Sequence, residues 1–183
     1  FHKAMRFAGP VRKQMGVRTL FNLLGPLTNP AGAPCQLLGV FAPDLTEAFA
    51  EVLKKLGSRR VLVVHGHDGM DEITLTTTTR CSELKDGMVK TYDIDPANYF
   101  GDYCTNEDLE GGEPADNAVI TRGILEGKIQ GPKRDIVLLN AAASLLAANR
   151  CTDLADGLKQ SAAAIDSGAA IDKLEKLIAF SKS

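Results

Sequence analysis

Two adjacent carboxylates, Asp71 and Glu72, stand in the segment His65-Gly66-His67-Asp68-Gly69-Met70-Asp71-Glu72, directly after an apolar run that ends at Val64. In open α/β sheets, ligands bind beyond the carboxyl ends of strands. Carboxylates on a glycine-containing loop at such a point suit Mg²⁺, a hard ion that takes oxygen ligands and keeps several waters. A cation held there neutralises a phosphate leaving group. The same dipeptide also occurs as an ordinary acidic turn, so alone it marks a candidate only. His65 and His67 flank Gly66 and, with Asp68, Asp71 and Glu72, offer donors for a transition metal. No third nitrogen or sulfur ligand stands at a suitable spacing, which argues against zinc, and packing or loop capping is the plainer role for both histidines.

A second group of residues has the chemistry of anion recognition. Arg12 lies on a helical turn opened by Pro10, where a guanidinium can hold a carboxylate in a two-point fork. The segment Asn22-Leu23-Leu24-Gly25-Pro26-Leu27-Thr28-Asn29-Pro30 reads as a loop stiffened by two prolines. Gly25 would let backbone approach a planar ligand, or simply make a tight connection. Residues 1–43 carry five bases and no acid, whereas the remaining 140 residues hold 16 bases and 23 acids, a balance of −7. The positive opening segment either faces an anion or is a solvated helix face. There is no G-x-G-x-x-G, no Walker A loop and no G-x-S-x-G, hence no self-contained nucleotide loop and no serine-nucleophile signature.

These groups need a scaffold, and the apolar pattern supplies one. Residues 35–41 read as a buried strand, and residues 60–64 as a second strand buried on both faces. Between them Asp44 is expected to cap a helix, with Glu47 three residues on, and Leu45, Ala48, Phe49, Val52, Leu53 and Leu56 on one face. Gly57 fits its stop. Strand, helix and strand imply a right-handed parallel crossover. Alternating segments around 73–82 and 88–94 flank Asp86-Gly87, a hairpin signal, and the Thr76–Thr79 tract reads as strand or strand edge. Residues 95–113 read as an acidic loop. Helices are expected at 114–126, 132–149, 152–167 and 169–180, with Ala141, Ala142, Ala143 and Ser144 permitting close approach of a neighbour.

Composition narrows the classes. The 183 residues are 44% hydrophobic and 24% charged, a globular balance with room for a sizeable core. Aromatic residues make up 5%, Trp is absent and the net charge is −2, which argues against a nucleic-acid binder. No run is long and apolar enough for a membrane span. Cys35, Cys81, Cys104 and Cys151 are no closer than 23 residues apart, consistent with free thiols in a reducing cytoplasm.

Several motifs occur together in order: Phe1-His2-x-Ala4-Met5-Arg6, Pro10-Val11-Arg12-Lys13, Gly16-Val17-Arg18-Thr19-Leu20-Phe21-Asn22-Leu23-Leu24-Gly25-Pro26-Leu27-Thr28-Asn29-Pro30, Val63-Val64-His65-Gly66, Asp68-Gly69-Met70-Asp71-Glu72 and Asn140-Ala141-Ala142. In this the chain resembles the anthranilate phosphoribosyltransferases over nearly its whole length. Lys3 and Phe7 depart from the family's usual residues. The resemblance implies an α/β fold with a central, largely parallel sheet flanked by helices, of the nucleoside phosphorylase/phosphoribosyltransferase type. It implies that residues 1–183 form a single α/β domain, the C-terminal part of a larger enzyme, with the family's helical N-terminal domain and glycine-rich diphosphate loop absent. It further implies transfer of a phosphoribosyl group from phosphoribosyl pyrophosphate to the amino group of anthranilate, with Mg²⁺ as cofactor and a homodimer formed through the helical domain. On this resemblance Arg12 holds the anthranilate carboxylate, His2, Met5, Gly25 and Pro26 line its pocket, and Asp71 and Glu72 ligate Mg²⁺. The alternatives are a catalytically incomplete fragment, a nucleic-acid-binding paralogue and a pyrimidine nucleoside phosphorylase. The acidic balance after residue 43 opposes the second, and the Asn22–Pro30 run opposes the third.

Overall fold

The computed structural model describes residues 14–16, 24–25, 27–28 and 31–182. It divides into two units, Phe1–Pro34 and Cys35–Ser183. In the first, Leu24 and Gly25 form a helical turn closed by Thr28, whose N–H donates to Gly25 O (3.3 Å) and whose hydroxyl donates to Leu24 O (3.0 Å).

The second unit is built on a four-stranded sheet of order β1-β2-β3-β4, with β1 Cys35–Gly39, β2 Arg60–Gly66, β3 Thr79–Lys85 and β4 Met88–Ile94. β1 and β2 are parallel, with Leu37 opposite Leu62 and Gly39 opposite Val64. The crossover is helix α1, Leu45–Lys55. β3 pairs antiparallel with both β2 and β4, so the described sheet is mixed, with one parallel pair. The α/β architecture is as expected. The antiparallel half follows from Asp86 and Gly87, which take φ of 51° and 77° and close the two-residue hairpin. β2 is buried at every position, the burial of a strand covered on both faces.

After β4 come two short helices, α2 (Ala97–Phe100) and α3 (Asn106–Leu109), then α4 (Pro114–Leu125), α5 (Pro132–Ala147), α6 (Leu154–Asp166) and α7 (Ala169–Ser181). Residues 95–113 are thus partly helical, α3 being opened by a reciprocal cap between Thr105 and Asp108. The sheet's two faces divide by strand alternation. Leu62, Val64 and Cys81 pack with Leu139, Ala142, Ala143 and Leu146 of α5. On the other face Ser82 and Arg80 of β3 donate to Thr46 Oγ1 of α1 at 3.0 and 3.1 Å. The small residues of α5 serve close packing: a Cβ on Gly157 of α6 would come within 2.9 Å of Ala142.

Local expectations needed revision in three places. Asp44 makes no side-chain cap; the first amides of α1 are met by backbone, Leu45 N donating to Ala42 O and Thr46 N to Pro43 O, both at 3.1 Å. The buried face of α1 is Thr46, Phe49, Ala50 and Leu53, while Val52 and Leu56 are 39% and 61% exposed. The hydroxyl of Thr46 makes that rotation possible, because the β3 face it meets is itself polar. Of the threonine tract, only Thr79 is in a strand; Thr76 is held by side-chain bonds in the loop before it. Among the described residues, no helix is long and apolar enough to cross a membrane.

Candidate functional site

The loop after β2 leaves the carboxyl end of the parallel pair and is organised around Asp68. Thr74 and Thr76 donate their hydroxyls to Asp68 Oδ2 at 2.6 and 2.5 Å, and Met70 N donates to Asp68 Oδ1 at 3.0 Å. Backbone bonds tighten the turn, with Gly69 N donating to Gly66 O and Gly66 N to Met70 O, each at 2.8 Å. Asp68 is thereby spent on the loop itself. The loop runs across the end of β1 at Gly39, where a Cβ would collide with the carbonyl oxygen of Asp71. Only glycine permits that approach. Beyond Glu72, Ile73 is fully buried and its backbone is gripped by Asn140 of α5. Ile73 N donates to Asn140 Oδ1 (3.0 Å), and Asn140 Nδ2 donates to Ile73 O (2.8 Å) and to Ile136 O (3.0 Å). Asp71 and Glu72 are exposed between these two fixed points.

The electrostatics separate the acids. Partial burial raises the Asp68 carboxyl, but the bonds from Thr74, Thr76 and Met70 outweigh it and hold it below the ordinary carboxylate range. Glu72 is pushed up, first by desolvation and then by the charges of Asp71 and Asp68, although its side chain keeps contact with water. A neighbouring cleft of about 400 Å³ is lined by Asp68, Met70, Asn106, Glu107, Leu109 and Glu110, with three carboxylates and no cation. Lys133 stands beside it, its Nζ donating to Glu110 O at 2.6 Å and to Asp108 O at 2.9 Å. The donor set is all oxygen, crowded and open to water, which fits a hard divalent ion. Among the described residues no three His, Cys, Asp or Glu side chains converge as a closed cage. One or two carboxylates would therefore hold the ion, with water and substrate completing its shell, as Mg²⁺ prefers.

The structure brings Asp71 and Glu72 together on one loop as the sequence suggests. His65 and His67 part company: His65 is buried and its Nδ1 donates to Val40 O (2.7 Å), whereas His67 is exposed with Nε2 3.2 Å from Asp93 Oδ1. His65 thus has the packing role that is the plainer expectation for it. Gly25 lies in the Phe1–Pro34 unit, while His2, Met5, Arg12 and Pro26 lie outside the described residues. Gly39, Thr74, Thr76 and Asn140 carry no site role in the sequence, and Asp68, which the sequence offers only as a metal donor, instead organises the loop. The only sequence signal for Asn140 was its place in the Asn140-Ala141-Ala142 match.

Comparison with known proteins gives the family and the fold. A family model described as "Glycosyl transferase family, a/b domain" matches residues 1–171, and the chain belongs to that family. Within it, the chain is similar to proteins named anthranilate phosphoribosyltransferase. That of Desulfosudis oleivorans is 57% identical over 183 residues, covering 100% of this chain and 54% of the relative. That of Desulfatibacillum aliphaticivorans is 54% identical over 182 residues, with 100% and 54% covered. Among solved structures, anthranilate phosphoribosyltransferase from Thermus thermophilus superposes with a TM-score of 0.88 at 41% identity, over 100% of this chain and 54% of that one. The Saccharomyces cerevisiae enzyme in complex with PRPP and Mg gives 0.85 at 27% identity, over 96% and 50%. The chain spans about half the length of the curated relatives it matches.

Proposed function

We propose that this chain is one α/β domain of a larger phosphoribosyltransferase. Its reaction is transfer of a phosphoribosyl group from phosphoribosyl pyrophosphate to the amino group of anthranilate, releasing diphosphate, a step of tryptophan biosynthesis. The observation that carries the reading is the exposed Asp71–Glu72 pair, fixed at the carboxyl end of the parallel strands beside an acidic cleft. The names of the similar proteins supply the substrates.

The chemistry suits what the chain offers. The anthranilate nitrogen attacks the anomeric carbon as the bond to diphosphate breaks, and the nitrogen loses a proton. Such a displacement needs positioning and charge compensation more than a protein nucleophile. A bound Mg²⁺ would supply that compensation at the diphosphate oxygens. Asp71 and Glu72 would hold it and set its place relative to the strand ends. Arg12 would fork the anthranilate carboxylate, with His2, Met5, Gly25 and Pro26 around the ring. The setting proposed with this reading is the cytoplasm, with no part for nucleic acid.

The test is a chimera in which this chain replaces the matched portion of the Desulfosudis oleivorans relative. The expected result is anthranilate consumption that requires both phosphoribosyl pyrophosphate and Mg²⁺. A chimera that melts cooperatively yet consumes no anthranilate would overturn the assignment.

A further inference from the structure

We infer that Asn140 is a positioning residue for the carboxylate pair, acting through the backbone of Ile73. The inference rests on the reading of Asp71 and Glu72 as cation ligands and extends it to a helix that carries no ligand of its own.

The geometry has three parts. One amide side chain bonds both the N–H and the C=O of Ile73, at 3.0 and 2.8 Å. A single side chain reaches both groups of one residue only when they point to the same side, so the pair of bonds fixes the backbone rotation at Ile73. That rotation sets the direction in which the chain enters from Glu72. The burial of the Ile73 side chain alone would fix its depth and leave this rotation free. The third bond, from Nδ2 to Ile136 O one helical turn back at 3.0 Å, locks the Asn140 rotamer. The helix beneath is itself immobilised, since Leu139, Ala142 and Ala143 on either side of Asn140 are fully buried against the sheet.

On the near side of the pair, Asp71 O sits against Gly39 at the end of β1. The two carboxylates therefore occupy a two-residue span pinned at one end to the sheet and at the other to α5. Residues that orient a metal's ligands rather than bind it typically change metal affinity roughly 10- to 100-fold when altered. A residue that merely stabilises the fold changes the melting temperature and leaves the affinity of the folded fraction unchanged.

These two roles separate in a titration of the chain with Mn²⁺, read by water-proton relaxation, beside a thermal melt of each variant. Asn140→Leu keeps the bulk and removes all three bonds. Asn140→Asp keeps the acceptor for Ile73 N–H and loses both donated bonds. Ile165→Ala is a destabilised control in the separate cluster with Ile124 and Leu138. Expected are a loss of Mn²⁺ affinity of at least tenfold in Asn140→Leu, a smaller loss in Asn140→Asp, and unchanged affinity in Ile165→Ala. If the Asn140 variants bind Mn²⁺ like the unaltered chain while Asp71→Asn does not, the positioning role is wrong and the carboxylate reading stands. If Asp71→Asn combined with Glu72→Gln binds Mn²⁺ as well as the unaltered chain, the carboxylate reading itself falls and the inference with it. Should Asn140→Leu fail to fold, Asn140→Asp decides alone: unchanged Mn²⁺ affinity in that variant overturns the role.

Discussion

Three acids within five residues, Asp68, Asp71 and Glu72, do different work because their surroundings differ. Asp68 accepts three hydrogen bonds inside the loop, and its lowered carboxyl pKa makes it a stabiliser. Its contribution is present above the ordinary aspartate range and is lost only as pH falls through its depressed value. Glu72 has the opposite sign: its carboxyl is raised by desolvation and by Asp71 and Asp68, so its charge works against the fold at neutral pH. Glu72→Gln should therefore melt at a slightly higher temperature than the unaltered chain at neutral pH in the presence of a chelator, and the difference should vanish in acid. A lower melting temperature for Glu72→Gln under those conditions would contradict the crowding of charge at this loop. A cation bound at this loop would offset that unfavourable charge.

At the scale of elements, the loop is positioned from two sides, and the β1 side can be tested apart from the helix. Gly39→Ala would drive a methyl group into the carbonyl oxygen of Asp71, a clash with backbone that no rotamer change relieves. The loop must move, at a cost of about 3 kcal/mol, the upper end for overpacking. Chemical denaturation checks the cost, and a variant as stable as the unaltered chain would show that β1 does not constrain the loop. Much of this layer was legible in the sequence. The continuous apolar run in β2, the crossover helix, the Asp86-Gly87 turn and the four later helices came from periodicity and from glycine and proline placement. Other features were not legible because they depend on partners distant in sequence. Which face of α1 is buried is decided by Arg80 and Ser82, 34 and 36 residues from Thr46. The grip of Asn140 on Ile73 spans 67 residues. The need for glycine at position 39 appears only once Asp71 is packed against it. For Arg12, His2, Met5, Gly25 and Pro26 the proposed roles rest on the resemblance.

At the scale of the whole Cys35–Ser183 unit, the end of the sheet opposite the proposed cation loop is a stabilising one. Arg60 starts β2, seven residues and about 20 Å from the loop that follows its last residue. Its guanidinium donates to Glu83 Oε1 through Nε (3.0 Å) and Nη2 (2.7 Å) and to Asn149 Oδ1 through Nη1 (2.8 Å). Tyr92 OH donates to the other Glu83 oxygen at 3.0 Å. The network ties β2, β3 and β4 to the end of α5, where Asn149 takes φ of 54°. Glu83→Ala would leave Arg60 buried without its carboxylate, a loss of about 3–5 kcal/mol. Urea denaturation should show that loss with Mn²⁺ binding by the folded chain unchanged. A loss under about 1 kcal/mol would mean that the pair is solvated and does not anchor the sheet.

The two ends meet in the reaction proposed for the family, where a scaffold fixed at one end presents two carboxylates at the other. The most direct measurement is the Mg²⁺ dependence of anthranilate consumption by the chimera carrying Asp71→Asn with Glu72→Gln. If these carboxylates hold the cation, the Mg²⁺ concentration for half-maximal rate rises at least tenfold, or the activity is lost while the fold persists. An unchanged Mg²⁺ dependence at an unchanged maximal rate would contradict it and return the loop to an ordinary acidic turn.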